Sequence, residues 1–156
     1  MVAQWHAEHR RFEGLLDRLH RELDLFATGE RPNYTLMMEI LTYLTEYCDR
    51  VHHPREDAAF ERLERRCPEL ALPLARLRQE HRVIAHAGDT LRKQLASILD
   101  GAYVPRAQVE VSAATYLVYY RRHIAQEETE ILARAQAALS PDDWAAVRRA
   151  VPEETR

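Results

Sequence analysis

Residues 52–57 read His52-His53-Pro54-Arg55-Glu56-Asp57, and residues 123–128 read His123-Ile124-Ala125-Gln126-Glu127-Glu128. Each stretch places a histidine four residues before a carboxylate, with a second acid directly after it. On a helix, residues four apart stack on one face, so each stretch aims one imidazole and one carboxylate at the same point. Two such helices facing each other bring two pairs to one spot. Imidazole and carboxylate without thiolate form a ligand set suited to iron, manganese or zinc.

Outward from these stretches the chain reads as helices with short joins. The first covers about 2–26, with Val2, Trp5, His9, Phe12, Leu16, Leu19 and Leu23 at helical period, and stops at Thr28-Gly29. The second starts near Pro32-Asn33, carries Leu36, Ile40, Leu44, Tyr47 and Val51 on one stripe, continues through Pro54 with a bend, and ends before Cys67-Pro68. The third spans about 68–99 and breaks at Asp100-Gly101; the fourth spans about 105–139. Ser140-Pro141-Asp142-Asp143 then marks a short fifth helix: Ser at the N-cap, Pro at the first helical position, an acid at the third. These elements predict an all-α protein, an antiparallel four-helix bundle with a short C-terminal cap helix. The expected organisation is one domain over 1–156, the bundle at about 2–139 and the cap at about 141–151.

With 156 residues and a net charge of −3, acids and bases interspersed, the chain carries no basic footprint for nucleic acid and no polybasic membrane patch. The opening Met1-Val2-Ala3-Gln4-Trp5-His6-Ala7-Glu8 is polar, and no run approaches the roughly 20 apolar residues of a membrane span. A cytoplasmic protein is expected, with Cys48 and Cys67 as reduced thiols, the first in the core and the second at a turn. Self-association is left open.

Helical phase at roughly 100° per residue selects among the polar groups. His123 and Glu127 share a stripe with Tyr116, Tyr120 and Ile131. His52 and Glu56 extend the line of Leu41 and Cys48, while His53 and Asp57 are read as turned away, and Glu128 as lying to one side. His9, among Trp5, Phe12 and Leu16, and His81, among Leu74, Leu77, Ile84, Ala85 and Gly88, lie on the apolar faces of the two helices that lack a pair. Each follows a glutamate, Glu8 and Glu80. A lone histidine on an apolar face is more often a satisfied core residue, but the order H, HxxxE, H, HxxxE over four successive helices argues for ligands. His20 and His86 read as surface residues and His6 as a supporting group beside the site. Four imidazoles and two carboxylates are too many for one open metal and suit two. Bridging carboxylates would hold the ions roughly 3.5–4 Å apart and leave positions free on each. A structural site would be closed, so a reactive centre is expected.

This arrangement resembles the hemerythrin-like (HHE cation-binding) family, a four-helix bundle around a non-haem di-iron centre, over almost the whole chain from Glu8-His9 to Glu128. The resemblance implies two iron ions with oxo or hydroxo bridging, held by His9, His52, Glu56, His81, His123 and Glu127, and a small diatomic or peroxide ligand: O2, NO or peroxide. The oxygen-carrying branch has a second histidine one turn from the third-helix ligand; here Leu77 and Ala85 flank His81. The site is therefore expected to be one imidazole poorer and more open, which argues against reversible oxygen carriage. The iron–sulfur repair branch carries an N-terminal segment with paired cysteines, which these residues do not match. Tyr116 and Tyr120 on the metal stripe read either as hydrogen-bond donors to a bound ligand or as core packing.

Two functional readings follow. One is an oxidoreductase-type di-iron centre reactive toward peroxide or NO. The other is a non-enzymatic iron, oxygen or redox sensor, in which metal occupancy orders the bundle and a partner reads the result. The ligand set also admits manganese or zinc. A ferritin-like oxidase is disfavoured, because it wants Glu-x-x-His, the reverse order.

Overall fold

A computed structural model describes residues 1–152. Helix α1 is Val2–Ala27 and buries the predicted stripe from Val2 and Trp5 to Leu23. It ends at Thr28, and Gly29 then takes a φ of +83°, a left-handed turn that a side chain would strain. Helix α2 runs continuously over residues 34–66. Its N-cap Asn33 accepts the Leu36 backbone N–H at 3.0 Å. Helix α3 is Ala71–Leu99, entered through a short 3₁₀ turn at Pro68–Leu70. Helix α4 covers residues 106–138, and α5 is Pro141–Ala150. The start of α5 is the capping box that its sequence announces: Ser140 Oγ accepts the Asp143 N–H, and Asp143 accepts the Ser140 N–H.

Neither α2 nor α4 is a uniform α-helix. Leu44–His52 in α2 and Glu127–Ile131 in α4 are π-helical, with α-helix on both sides. At the end of the first, the His53 N–H bonds back five residues to Cys48 O. Pro54, which has no N–H to give, falls where the ladder returns to α spacing. The bend expected at this proline is therefore a widened turn within one helix.

The four long helices pack as a closed ring, α1 against α2 and α4, α3 against α2 and α4. Short joins make successive helices antiparallel. Two apolar clusters fill the interior. One contains Phe12, Leu16, Leu41, Cys48, Leu91, Tyr116 and Tyr120; the other contains Trp5, Phe60, Leu63, Leu74, Ile131 and Val147. Each fully buried Leu- or Phe-sized side chain contributes roughly 1.5–3 kcal/mol, and this burial is what the polar layer between the clusters is set against. Helix α5 closes the second cluster: Trp144 meets Trp5 edge-on at 5.6 Å, Arg66 pairs with Asp143 at 2.6 Å, and Arg55 Nε donates to Val151 O at 2.9 Å. Among the described residues no helix is long and apolar enough to cross a membrane. Cys48 is free and buried, Cys67 free and half-buried.

Candidate metal centre

Between the two apolar clusters every long helix turns polar groups inward. His9, His52, Glu56, His81, His123 and Glu127 are all buried, with Glu56 and Glu127 at 0 % exposure. Glu56 Oε1 lies 2.9 Å from His52 Nε2 and 3.3 Å from His9 Nε2, while its Oε2 lies 3.4 Å from His81 Nε2. Glu127 mirrors this: Oε1 is 3.0 Å from His123 Nε2 and 3.8 Å from His81 Nε2, and Oε2 is 3.4 Å from His9 Nε2. Each carboxylate thus divides its two oxygens between two imidazole pairs, His9/His52 and His81/His123.

The outer nitrogens explain why the inner ones point where they do. His9 Nδ1 meets Glu128 at 2.6 Å, His52 Nδ1 meets Glu8 at 2.7 Å, His81 Nδ1 meets Asp57 at 2.9 Å, and His123 Nδ1 meets Glu80 at 3.2 Å. Helix α1 supplies the acid for α2, α2 for α3, α3 for α4, and α4 for α1, so the acids close a cycle around the bundle. A carboxylate on Nδ1 fixes the tautomer with the proton outside and the Nε2 lone pair inside. The inner nitrogens then face each other, His9 to His52 at 3.1 Å and His81 to His123 at 2.9 Å. Two lone pairs at that distance repel unless a cation or a proton lies between them.

The protonation behaviour says the same. Burial opposes charge on His52, yet Glu56 and Glu8 outweigh it and lift the ring to about 9. His123 is lifted to about 9 against burial by Glu127 and Glu80. Burial would raise the Glu56 carboxyl, but His52, His81 and His9 hold it well below the usual carboxylate range. Without metal, protons are drawn in as the missing positive charge. Even so, Glu56 Oε2 and both oxygens of Glu127 are buried without a hydrogen-bond partner; the imidazoles beside them stand at ion-pair distance but off hydrogen-bond geometry. Orphaned buried carboxylate oxygens of this kind are costly and fit cation binding. Two groups can hold an ion, His9/His52/Glu56 and His53/Glu56/His81/His123, and Glu56 belongs to both.

His53 corrects the phase reading. It does not point away: it is 3 % exposed, stacks on His81 with ring centroids 4.3 Å apart, and its Nδ1 meets Asp49 at 3.2 Å. The cause is the π segment. A wider turn rotates less per residue, so by its end both His52 and His53 have come round to the interior. Burial holds His53 neutral, well below its ordinary value, the state in which imidazole binds metal. The local signal was Pro54, whose missing N–H called for a break in the α ladder. A second expectation falls with the first. An imidazole from another helix, His53, stands beside His81 in a group that could hold an ion, so the lack of a histidine one turn from His81 does not by itself leave the centre one imidazole short. Nor do the buried ligating side chains make it open to water, and the argument against oxygen carriage from a missing histidine loses its ground.

The remaining residues are placed as follows. Asp57 and Glu128, set aside as direct candidates, support His81 and His9. His6, 36 % exposed at its side chain, meets Glu128 at 2.5 Å, beside the site rather than in it. His20 and His86 are exposed. Tyr120 is buried with its ring 5.8 Å from His53, and its hydroxyl faces the Cys48 thiol without an oxygen or nitrogen partner. Tyr116 packs against Gly88, where a Cβ would meet its ring at 2.8 Å.

Among known proteins, no curated protein and no solved structure matches the chain. A family model does, that of the hemerythrin HHE cation-binding domain, over residues 1–135. That span runs from the start of α1 through both histidine–carboxylate stretches and holds every residue of the polar layer. The chain belongs to the hemerythrin HHE cation-binding domain family.

Proposed function

We propose that the polar layer holds two non-haem iron ions and that the centre binds and reacts with a small diatomic or peroxide, O2, NO or hydrogen peroxide. His9 and His52 would hold one ion and His81 and His123 the other, with Glu56 and Glu127 shared between them. His53 adds a third imidazole on the His81/His123 side. The observation that carries this reading is the division of Glu56 and Glu127, each with one oxygen toward each imidazole pair and three of the four oxygens orphaned. Iron, when bound, supplies one-electron redox chemistry and exchangeable positions for an oxygen or nitrogen ligand. The chain's own part is to hold and orient. The four outer carboxylates keep the Nε2 lone pairs inward, and such outer partners raise ligand basicity. Phe12, edge-on to His52 at 4.9 Å, and Trp5, at 6.2 Å, line the His9/His52 side with apolar rings. That side has one imidazole fewer, which leaves its ion the position for an incoming ligand.

A sensing role is the second reading, favoured by the same charge layer. Because buried carboxylates and imidazoles sit between both halves of the core, metal binding and bundle stability are coupled. Metal analysis and the visible spectrum of protein from iron-supplied cells, before and after peroxide or NO, test the first reading. Two irons per chain with near-ultraviolet bands that respond support it. Zinc or manganese alone, or iron without any spectral response, overturns it in favour of a metal-ordered switch.

A further inference from the structure

The hydrogen-bond ring around the imidazoles branches outward at Glu128, which meets His6, and at Glu8. Glu8, whose Oε2 holds His52 Nδ1 at 2.7 Å, accepts on Oε1 from the Tyr47 hydroxyl and from the Gln4 side-chain amide, each at 2.9 Å. The Tyr47 ring lies flat on that of Tyr43, with centroids 5.6 Å apart and planes within 9°. Tyr43 is at the rim, where its hydroxyl accepts a bond from exposed Arg11 at 3.4 Å. His52, Glu8, Tyr47 and Tyr43 therefore form an unbroken line of bonded or stacked groups from the buried centre to solvent.

A phenol loses an electron readily only when its proton can leave at the same time, because the oxidised phenol is a strong acid. The tyrosines near the centre differ on this point. Tyr120 lies beside His53, yet no oxygen or nitrogen stands ready to take its proton. Tyr47 has a carboxylate acceptor, and that carboxylate also touches a histidine of the centre.

We propose that Tyr47 and Tyr43 form a one-electron relay between solvent and the metal centre, with Glu8 as the proton acceptor for Tyr47. The proposal rests on the di-iron reading above. After hydrogen peroxide has oxidised the loaded centre, Tyr47 gives up one electron to it. The phenolic O–H bond breaks, the proton passes to Glu8 Oε1, and a neutral phenoxyl radical remains on Tyr47. A surface donor of the phenol or aromatic-amine class then returns one electron through the Tyr43 ring, leaves oxidised by one electron, and Glu8 returns the proton. Two such turns, with two protons from solvent, balance the reduction of one hydrogen peroxide to two waters.

Freeze-quench electron paramagnetic resonance on the full-length iron-loaded protein, milliseconds after hydrogen peroxide, tests this. Iron content and the optical response are measured on the same samples. The expected result is a tyrosyl signal in the parent, retained in Tyr120→Phe and lost in Tyr47→Phe at equal iron content. In Tyr43→Leu the signal forms in the same yield but decays more slowly when an aromatic amine is added. Incorporating 3-fluorotyrosine at position 47 keeps ring and hydroxyl, and must add a fluorine splitting to the signal even if Tyr47→Phe fails to fold. A signal that survives Tyr47→Phe, lacks the fluorine splitting, or vanishes in Tyr120→Phe overturns the relay. So does a parent that binds iron and responds to peroxide without any tyrosyl radical, a result that leaves the di-iron reading intact. Absence of bound iron removes both.

Discussion

Replacing Glu56 by glutamine tests the centre most directly, because the side chain keeps its shape while the bundle loses one buried charge. Glu56 is fully buried and lies 2.9, 3.3 and 3.4 Å from the inner nitrogens of His52, His9 and His81. In the metal-free protein its charge is first among the groups that lift His52 from 6.5 to about 9 against burial. That net lift, to which Glu8 and Glu127 also contribute, corresponds to roughly 3 kcal/mol, of which Glu56 supplies the largest favourable part. It sits at the lower end of the roughly 3–5 kcal/mol seen when one partner of a buried pair is removed, since the imidazole left behind can release its proton. Metal-free Glu56→Gln should therefore be about 2–3 kcal/mol less stable than the metal-free parent between about pH 4.5 and 6.5, read from urea unfolding. The gap should also shrink below pH 4.5 as the depressed Glu56 carboxyl loses its contribution. The sign with pH follows from the direction of the shift. His52 has a higher value folded than unfolded, so its contribution is complete below pH 6.5 and is lost as pH rises through about 9; His123, also at about 9, behaves alike. The gap between variant and parent should narrow over that window. In metal-supplied cells the variant should lose both ions, because one residue serves both groups. Two ions retained per chain would refute the sharing of Glu56. A metal-free gap that widens between pH 6.5 and 9 would refute the electrostatic argument.

Four further outcomes are expected. His123→Ala should strip metal and lower the melting temperature of protein isolated with iron, while His86→Ala, on the exposed face of α3, should do neither; equal metal content in the two would sink the ligand assignment. Asp57→Asn, which weakens the hold on His81 Nδ1, should lower metal affinity roughly 10–100-fold in competition with a chelating dye. His53→Phe keeps a ring stacked on His81 but removes the nitrogen, and should weaken binding of the second ion more than the first; unchanged titration of both would return His53 to a packing role. Gly88→Ala drives a methyl into the Tyr116 ring and should destabilise the fold by roughly 1–3 kcal/mol through overpacking, seen as a lower urea midpoint at unchanged metal stoichiometry.

The helices themselves were legible in the chain. The stripe from Val2 to Leu23, the stop at Gly29 and the Ser140 capping box are local signals, each acting within one or two turns, and each appears in the structure as its residues predict. The spacing His52 to Glu56 and His123 to Glu127 likewise acts within one turn, and the structure brings those four residues and His9 and His81 together. Membership of the HHE family was readable from the same pattern.

Two features were not local. The inward turn of His53 depends on a π segment nine residues long, and a phase of roughly 100° per residue holds only while the ladder stays α. Pro54 announced a break in that ladder but not whether it would be a kink or a widened turn. The acid cycle is the other. The sequence sets Glu8 beside His9 and Glu80 beside His81, yet neighbours in sequence point to different sides of a helix, and these glutamates serve His52 and His123 on the next helix instead. The residues and their spacing thus determined the helices and the convergence of the six predicted histidines and glutamates by themselves. Which carboxylate orients which imidazole, and how many imidazoles reach the centre, was decided only when four helices closed into a ring, because those bonds run between helices and have no counterpart within any one of them.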